Sequence, residues 1–337
     1  MIAITGTNAK STVTALVSEM AKASGLKTEI GGNFGTPVLD LLHDGHETEL
    51  YVLELSSFQL ETTYSLKSSV ATVLNLSPDH MDRYGSLQEY RKAKLRIYEN
   101  SATVVCNKDD AMTDIDRDHK IYFTAGEPGE NEFGIRVEAG STYLAHGNDK
   151  LIDIKELPVM GKHYQVNALA ALALGTGYGL PMDAMLQVLR QFNGLPHRCE
   201  FVRERNGVRW INDSKGTNVG ATQAAIAGLG SHAGGKLIMI MGGLGKNADF
   251  TTLLPVLKQY VSHVVLIGEA AKEMAQVFRQ TVPVSFADSM DEAVSLCDKE
   301  AAAGDTVLLS PACASFDMFK SFEHRGQVFT EVVKNLR

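Results

Sequence analysis

Short apolar runs alternate with longer amphipathic stretches along most of the chain. In the first half, the apolar runs predict strands at residues 1–5, 28–30, 50–55, 70–75, 103–107 and 120–123. Apolar positions at helical spacing predict helices between them, at residues 13–24, 37–42 and 87–98. Strands that alternate with helices form a mostly parallel sheet, whose ligands bind beyond the carboxyl ends of the strands.

The pattern changes after residue 134, where short alternating runs broken by glycine predict a β-meander to residue 154. A loop at residues 160–167 then leads into an alanine-rich helix to residue 174, and a second helix is predicted at residues 181–191. Residues 193–196, Asn-Gly-Leu-Pro, are the best candidate for a linker. We therefore predict two α/β domains, residues 1–194 and 195–337.

The second half repeats the alternation of strands and helices. A hairpin is predicted from two apolar runs that flank Asn206-Gly207, and a helix is predicted at residues 219–229. Further strands are predicted at residues 236–241, 264–267 and 306–309, each followed by a polar loop or a helix. This half is predicted to be a small doubly wound, Rossmann-like domain.

The first strand runs directly into Gly6-Thr-Asn-Ala-Lys-Ser-Thr12 and a helix. A helix N-terminus after a tight loop binds anions through its backbone N–H groups and dipole. Lys10 can reach the outer phosphates of a nucleotide, and Ser11 or Thr12 can ligate Mg²⁺. The usual phosphate-loop glycines are replaced by Ile4 and Ala9, so the chain is expected to pass Ala9 with negative φ. An ordinary strand–turn–helix start is the alternative.

Two further polar residues are predicted to lie at the same edge of the sheet as Lys10. Glu54 is a single acid in an otherwise apolar strand, and a buried carboxylate requires a charged partner. His80 follows the strand at residues 70–75; taken alone, it is more often a loop histidine with a structural hydrogen bond. Convergence of all three side chains favours a binding site.

Composition narrows the class of protein. The chain has 337 residues, 44% hydrophobic and 21% charged, which is typical of a globular protein with two domains. A net charge of −8 without a basic run argues against nucleic acid as a partner. The four cysteines have no metal-ligand spacing and fit a reducing compartment, and no run is apolar enough to span a membrane. We expect a cytoplasmic protein, by default a monomer.

Seven polar stretches are distinctive when taken together: residues 6–12, 53–61, 79–83, 94–98, 194–198, 212–218 and 310–317. They resemble the loops of the Mur ligases of bacterial peptidoglycan synthesis, and within that family the branch that adds D-glutamate. The resemblance covers nearly the whole chain, in the family's order. It implies a central, P-loop-like ATPase domain and a C-terminal domain, with the family's N-terminal UDP-binding domain expected to be missing.

The resemblance implies that ATP phosphorylates the carboxylate of UDP-N-acetylmuramoyl-L-alanine and that the amine of D-glutamate then displaces phosphate. It implies two Mg²⁺ ions held by Ser11, Glu54, His80 and Lys94, with Lys94 carbamylated. It also implies a nucleotide site formed by Gly6, Thr7, Asn8, Ala9, Lys10, Ser11, Thr12, Asn33, His163, Asn167, Arg198 and Asp213. His163 is expected in a nucleotide loop, and Tyr164, where one form of the family has asparagine, is expected to stack rather than offer an amide.

For the amino acid, the resemblance implies a site formed by Lys215, Thr217, Lys246, Ser315, Phe316 and Phe322. Lys10, His80, Lys94 and Lys246 are the implied catalytic residues. Arg198 and Asp213 are expected to reach ATP across a domain cleft that closes around the ligands. The residues alone leave structural alternatives to some of these roles. In these alternatives Lys94 lies on a solvated helix face, Arg198 and Asp213 form an inter-domain salt bridge, Lys215 pairs with Asp213, and Phe322 lies in the core.

Three functions remain open. The first is D-glutamate ligation, with little activity expected from this chain alone because nothing in it is expected to hold uridine. The second is another ligase of the same fold, such as a Mur enzyme for a different amino acid or a folylpolyglutamate synthase. The third is a nucleotide-binding module without turnover, which the set of Glu54, His80 and Lys94 disfavours because simple binding needs no second cation.

Overall fold

The computed structural model describes residues 1–43, 47–81, 83–159, 161–230, 234–245 and 248–336. They form two compact units, Met1–Asn193 and Gly194–Arg337. The sequence predicts a boundary one residue later. Each unit has a mostly parallel sheet with helices packed on it, so the predicted α/β fold class is confirmed.

Nine strands of the first unit form one sheet, in the order β2-β3-β1-β4-β5-β6-β7-β8-β9. The strands from β2 to β7 are parallel to their neighbours, and β7, β8 and β9 form an antiparallel meander at one edge. Their bounds are β1 Ile2–Thr5, β2 Thr28–Gly32, β3 Leu50–Glu54, β4 Val70–Val73, β5 Thr103–Asn107, β6 Lys120–Phe123, β7 Glu132–Glu138, β8 Ser141–His146 and β9 Asp149–Asp153.

Alternating side chains of these strands enter two separate cores. Ile2 and Ile4 pack in one core, whereas Ala3 between them packs in the other. Helices α1, α5 and α6 cover the first face, and α3 and α4 cover the second. The helices of this unit are α1 Lys10–Ala23, α2 Val38–His43, α3 Ser57–Glu61, α4 Leu87–Leu95, α5 Lys162–Tyr178 and α6 Met182–Gln191.

The second unit has six strands in the order β10-β11-β15-β12-β13-β14, all parallel except the β10–β11 hairpin. Helices α7, α8 and α9 pack on one face and α10 and α11 on the other, as a doubly wound unit requires. The strands are β10 Glu200–Arg205, β11 Val208–Asn212, β12 Leu237–Gly242, β13 Val261–Ile267, β14 Val284–Phe286 and β15 Thr306–Leu309. The helices are α7 Val219–Gly230, α8 Leu254–Tyr260, α9 Ala271–Phe278, α10 Met290–Glu300 and α11 Phe322–Asn335.

Several element boundaries are shifted from their predicted positions, and two of the shifts are explained by hydrogen bonds. The helix predicted at residues 87–98 is α-helical only to Leu95 and continues as a 3₁₀ turn. Tyr98 is the last residue of that turn, and its hydroxyl accepts a bond from Val73 N at 2.8 Å and donates to Val105 O at 3.1 Å. β4 ends at Val73 rather than residue 75, because Asn75 turns to bind the loop after β1.

Among the helices that the structure describes, none has the length and apolar character needed to cross a bilayer.

Candidate active site

The loop after β1 is held against the end of β4. Thr7 N donates to Asn75 O at 2.9 Å, and Asn8 N donates to the Asn75 side-chain oxygen at 2.8 Å. Asn75 Nδ2 returns a bond to Asn8 O at 3.2 Å, so one asparagine fixes both residues. Asn75 was not among the predicted site residues; its position at a strand end, opposite the loop, was the available signal.

Ala9 is the N-cap residue of α1 and has φ 68°, in the left-handed region. The prediction of negative φ here is therefore wrong. The loop needs a left-handed residue immediately before the helix, the conformation that glycine provides in the usual pattern. Ala9 adopts that conformation in spite of its Cβ, and the first helical hydrogen bond follows, from Val13 N to Ala9 O at 3.0 Å. Ser11 and Thr12 are buried in the first turn.

Two lysines from different elements bind the same carbonyl oxygen in this loop. Lys10 Nζ donates to Gly6 O at 3.0 Å and to Thr7 O at 2.8 Å. Lys94 Nζ, from α4, donates to Gly6 O at 2.8 Å and to Thr5 Oγ1 at 3.3 Å. The structure thus brings Lys10 and Lys94 together at the mouth of the loop.

Lys94 is buried, with 2% of its surface exposed, so the interpretation of it as one base of a solvated helix face is wrong. Its ammonium lies 4.7 Å from the centre of the Tyr90 ring. Burial, and secondly the charge of Lys10, hold the pKa of Lys94 well below its ordinary value, while Asp79 and Glu54 act in the opposite direction. A lysine with a lowered pKa has more of the neutral amine that reacts with electrophiles.

Glu54 ends β3 and is buried, opposite Ile4 of β1 in the parallel register. Its Oε1 accepts a 2.7 Å bond from Asn33 Nδ2, and Asn33 N donates to Glu54 O at 2.8 Å. Gly32 is needed here: its φ is 102°, and a Cβ would lie 2.2 Å from Glu54 O. Glu54 and Asn33, predicted separately as metal and nucleotide residues, are therefore direct neighbours.

The second carboxylate oxygen of Glu54, Oε2, is buried and has no hydrogen-bond partner among the described residues. An unpartnered buried carboxylate oxygen is costly, and a bound cation would remove that cost. The described residues contain no group of three or more His, Cys, Asp or Glu side chains that could hold a metal. The site thus fits a hard cation such as Mg²⁺ that keeps water and substrate oxygens as most of its ligands.

His80 lies in the loop after β4 with φ 56°. Its backbone N donates to Asp79 Oδ1 at 3.0 Å, and its Nε2 lies 3.8 Å from Asp79 Oδ2. The imidazole meets the Phe58 ring edge-on at 5.0 Å, and the Arg83 guanidinium lies over that ring at 4.7 Å. His80 thus shares its loop with Asp79, the acid that also acts on Lys94; the sequence motif contained Asp79, but we assigned it no role.

His163 and Asn167 lie within α5, which begins at Lys162, so the prediction that His163 lies in a loop is wrong. Gly161, with φ 109°, starts the helix earlier than the alanine-rich run suggested. Residues four apart share a helix face, and both side chains are partly exposed. Tyr164 points into the core, where its ring stacks on that of Phe192 with ring centres 6.4 Å apart. The residue was predicted to stack rather than offer an amide, and its stacking partner in the structure is a core side chain.

In the second unit, two loops follow the adjacent strands β11 and β15: the Asp213 loop, residues 213–218, and the Ser310 loop, residues 310–317. Asp213 is buried and accepts from Ser310 Oγ at 2.7 Å and from Cys199 N at 3.2 Å. Burial raises the pKa of Asp213 to about 6, although both hydrogen bonds act to lower it.

The residues of these loops that are predicted to bind the amino-acid substrate differ in how far they are exposed. Ser315 is buried, Lys215 and Thr217 are partly exposed, and Phe316 is 70% exposed. Phe322, at the start of α11, is partly exposed rather than in the core, and the Lys215 ammonium lies 3.7 Å from its ring centre. Arg198 lies beside Asp213 closely enough to lower its pKa. Lys246 lies outside the described residues, as do Asp82 and Met160 of the quoted loops.

Comparison with known proteins follows the division into two units. A family model described as the Mur ligase middle domain matches residues 4–175. A second, described as the Mur ligase, glutamate ligase domain, matches residues 197–313.

Two full-length similarities are representative. A protein of Hahella chejuensis named UDP-N-acetylmuramoylalanine--D-glutamate ligase is 51% identical over 339 residues, covering 100% of this chain and 76% of that protein. A protein of the same name from Pseudomonas syringae pv. tomato is 53% identical, covering 100% of this chain and 75% of its own length. The chain thus spans about three quarters of these relatives.

Solved structures agree on the fold. MurF from Acinetobacter baumannii has a TM-score of 0.76 at 20% identity, covering 99% of this chain and 76% of that one. FolC from E. coli, in complex with DHPP and ADP, has a TM-score of 0.71 at 17% identity, covering 99% and 88%. With family models on both units and relatives about half identical over its whole length, the chain belongs to the Mur ligase family.

Proposed function

We propose that this chain supplies the ATP-binding and D-glutamate-binding parts of a ligase that joins D-glutamate to UDP-N-acetylmuramoyl-L-alanine, at the expense of ATP, in peptidoglycan precursor synthesis. The γ-phosphoryl group of ATP passes to the substrate carboxylate, and the amine of D-glutamate attacks the acyl phosphate. Phosphate then leaves, and an amide bond remains. The observation that carries the proposal is the 51–53% identity, over the whole chain, to proteins named for this ligation.

The loop between β1 and α1 would hold the triphosphate. The first turn of a helix offers N–H groups and a positive dipole to phosphate, and Lys10 is already positioned over the loop by its bonds to Gly6 and Thr7. Phosphoryl transfer depends mainly on such positioning and on neutralisation of charge. His163 and Asn167, on one face of α5, would contact the nucleotide, and Arg198 and Asp213 would contribute from the second unit.

Glu54 would hold Mg²⁺ together with Ser11 and His80, and Asn33 would orient the Glu54 carboxylate through its hydrogen bond. When bound, Mg²⁺ neutralises phosphate charge and polarises the phosphoryl group. Support comes from the unpartnered Oε2 of Glu54, which an oxygen-seeking cation would satisfy. A second ion is proposed with a carbamate on Lys94, whose burial and lowered pKa favour reaction of its amine with CO₂.

The amino acid would bind at the Asp213 and Ser310 loops. A dicarboxylate needs cations and hydroxyl or backbone donors, which Lys215, Thr217 and Ser315 supply, with Phe322 beside Lys215. Lys246 is proposed as a further cation. Closure of the two units around the ligands, a monomeric state and a cytoplasmic location stay predictions.

Release of phosphate from ATP tests the function directly. Two forms of the protein are assayed: the chain alone, and the chain joined to the UDP-binding domain that the resemblance implies. Each receives ATP, Mg²⁺ and UDP-N-acetylmuramoyl-L-alanine, with D-glutamate, L-alanine or meso-diaminopimelate as the amine. We expect nucleotide binding by the chain alone and D-glutamate-dependent release by the longer protein. Equal release with another amine would favour a different ligase of this fold, and ATP binding without release in the longer protein would favour a binding module.

Glu54→Gln tests the metal site. Replacing one carboxylate oxygen with an amide is expected to weaken Mg²⁺-dependent ATP binding at least about tenfold, which is about 1.4 kcal/mol. Glu29→Gln, on the neighbouring strand β2, is the matched control and should bind as the unsubstituted chain does. If ATP binding depended on Mg²⁺ equally in the two variants, Glu54 would not be a residue of the metal site.

A further inference from the structure

Arg325 is a fully buried cation in α11 of the second unit, with 0% of its surface exposed. Its hydrogen bonds within the described residues go to one hydroxyl and two carbonyl oxygens, none of them a carboxylate. Burial lowers the pKa of Arg325 to about 10, so it remains charged at neutral pH. A buried charge without an ion-pair partner is costly, which calls for an explanation of its position.

The guanidinium joins the Asp213 loop to the Ser310 loop. Nε donates to Ser214 Oγ at 2.9 Å and Nη2 donates to Ser214 O at 2.8 Å, so one residue of the first loop receives two bonds. Nη1 donates to Cys313 O of the second loop at 3.1 Å. Ser214 Oγ in turn donates to Phe322 O at 2.8 Å, which ties the start of α11 to the same point.

Backbone contacts beside Arg325 complete the connection between these loops. Ala312 N donates to Gly216 O at 2.9 Å, with Ala312 in the left-handed region at φ 60°. Ser310 Oγ donates to Asp213 Oδ2 at 2.7 Å. Within the described residues these contacts join the two loops, and the Arg325 connection uses a charged donor, the stronger kind of hydrogen bond.

We propose that Arg325 is a positioning residue for an amino-acid substrate that carries a second carboxylate. It does not touch the substrate; it fixes the spacing of Lys215 and Thr217 on one loop and Ser315 on the other. Its charge also adds positive potential that solvent screens weakly in a buried position. The inference rests on the proposed function, because those three residues are assigned to D-glutamate there.

Arg203 offers a matched control in the same unit. Its Nη1 donates to the carbonyl oxygens of Val333 and Lys334, both at 3.0 Å, and of Leu336 at 3.4 Å. It therefore anchors the far end of α11 by the same kind of contact, without touching either loop. Arg203→Met and Arg325→Met make the same substitution at two arginines that bond backbone carbonyls, although Arg203 is partly exposed and Arg325 is buried. Arg325→Lys keeps the charge but loses the planar set of donors.

Binding of D-glutamate to the chain with ATP and Mg²⁺ is measured by ligand-observed NMR, and binding of ATP by calorimetry. We expect Arg325→Met to raise the Kd for D-glutamate about tenfold, Arg325→Lys to raise it less, and Arg203→Met to leave it unchanged. The Kd for ATP should change less than about threefold in all three. Of the residues proposed to hold the nucleotide, only Arg198 and Asp213 lie in the second unit, and Asp213 is held independently of Arg325 by its bonds from Ser310 Oγ and Cys199 N. Equal Kd values for D-glutamate in Arg325→Met and Arg203→Met would overturn the inference.

Hydrogen exchange tests the loop connection without relying on the ligand. Exchange of the Gly216 and Ala312 amides should accelerate in Arg325→Met and not in Arg203→Met; unchanged exchange would refute the connection. If Arg325→Met does not fold, Arg325→Lys is compared with Arg203→Lys by the same two measurements. Failure of the unsubstituted chain to bind D-glutamate would instead refute the amino-acid site of the proposed function, and this inference with it.

Discussion

Replacement of Asp213 by asparagine should stabilise the second unit, and more at pH 8 than at pH 5. The Asp213 carboxylate is buried, and its pKa of about 6 lies above the ordinary value of 3.8. Asparagine can keep both contacts: its oxygen accepts from Cys199 N, and its amide donates to Ser310 Oγ. The Ser310 hydroxyl can then donate to Thr222 Oγ1, 3.0 Å away.

The magnitude follows from linkage between protonation and folding. A group whose pKa is raised in the native state stabilises that state fully below its unfolded pKa, and this contribution is lost as pH rises through the native pKa. With a native pKa of about 6 and an unfolded pKa of 3.8, this stabilising contribution is lost completely by pH 8, and the loss amounts to about 3 kcal/mol. At pH 5 roughly half is lost, so the advantage of Asp213→Asn should grow by about 1.4 kcal/mol between the two pH values.

Urea unfolding followed by tryptophan fluorescence provides the assay. The chain has one tryptophan, Trp210, which is buried in β11 of the second unit and therefore reports on that unit. The exposed Glu331→Gln on α11 is the control, because its charge is solvated in both states. An advantage of Asp213→Asn that is the same at pH 5 and pH 8 would refute the reasoning.

Two further predictions concern the first unit. Lys94→Ala should abolish ATP-dependent phosphate release by the protein joined to its predicted UDP-binding domain, and small carboxylates should restore part of the activity if a carbamate acts there. Lys92→Ala, exposed on the same helix, should leave phosphate release unchanged. Full activity of Lys94→Ala would exclude a catalytic role for Lys94. Ala9→Gly should raise the free energy of unfolding by about 0.5–1 kcal/mol, because glycine adopts positive φ without strain. Ala21→Gly, within α1, should lower it by at least a similar amount in calorimetry, because the loss of helix preference adds to the loss of a buried methyl group. A loss of stability in Ala9→Gly would contradict the argument.

Strand ends were the most informative feature of the sequence. Because parallel strands end at one edge, the position of Glu54 at the end of its strand was enough to predict that it lies near the phosphate loop, and the register with Ile4 places it there. The alternation of apolar runs likewise predicts the doubly wound second unit, since each run is buried on both faces.

Residues whose role depends on tertiary context could not be predicted. Ala9 adopts positive φ because the strand and helix around it leave no other path, whereas backbone preference alone favours negative φ. Tyr164 enters the core because Gly161 starts α5 earlier than the alanine run suggests. Arg325 looks like an ordinary surface cation of an amphipathic helix, and only the loops folded around it reveal a buried one.

Gly6 carries one carbonyl oxygen with two lone pairs, and Lys10 and Lys94 both donate to it. A carbamate on Lys94 would replace the ammonium charge with an anion and leave Nζ a single N–H, so Nζ could no longer donate to both Gly6 O and Thr5 Oγ1. Addition of CO₂ to Lys94 would therefore cost this loop at least one of the two bonds from Lys94, and it would place an anion beside Lys10 at the Gly6 carbonyl, where two cations now meet.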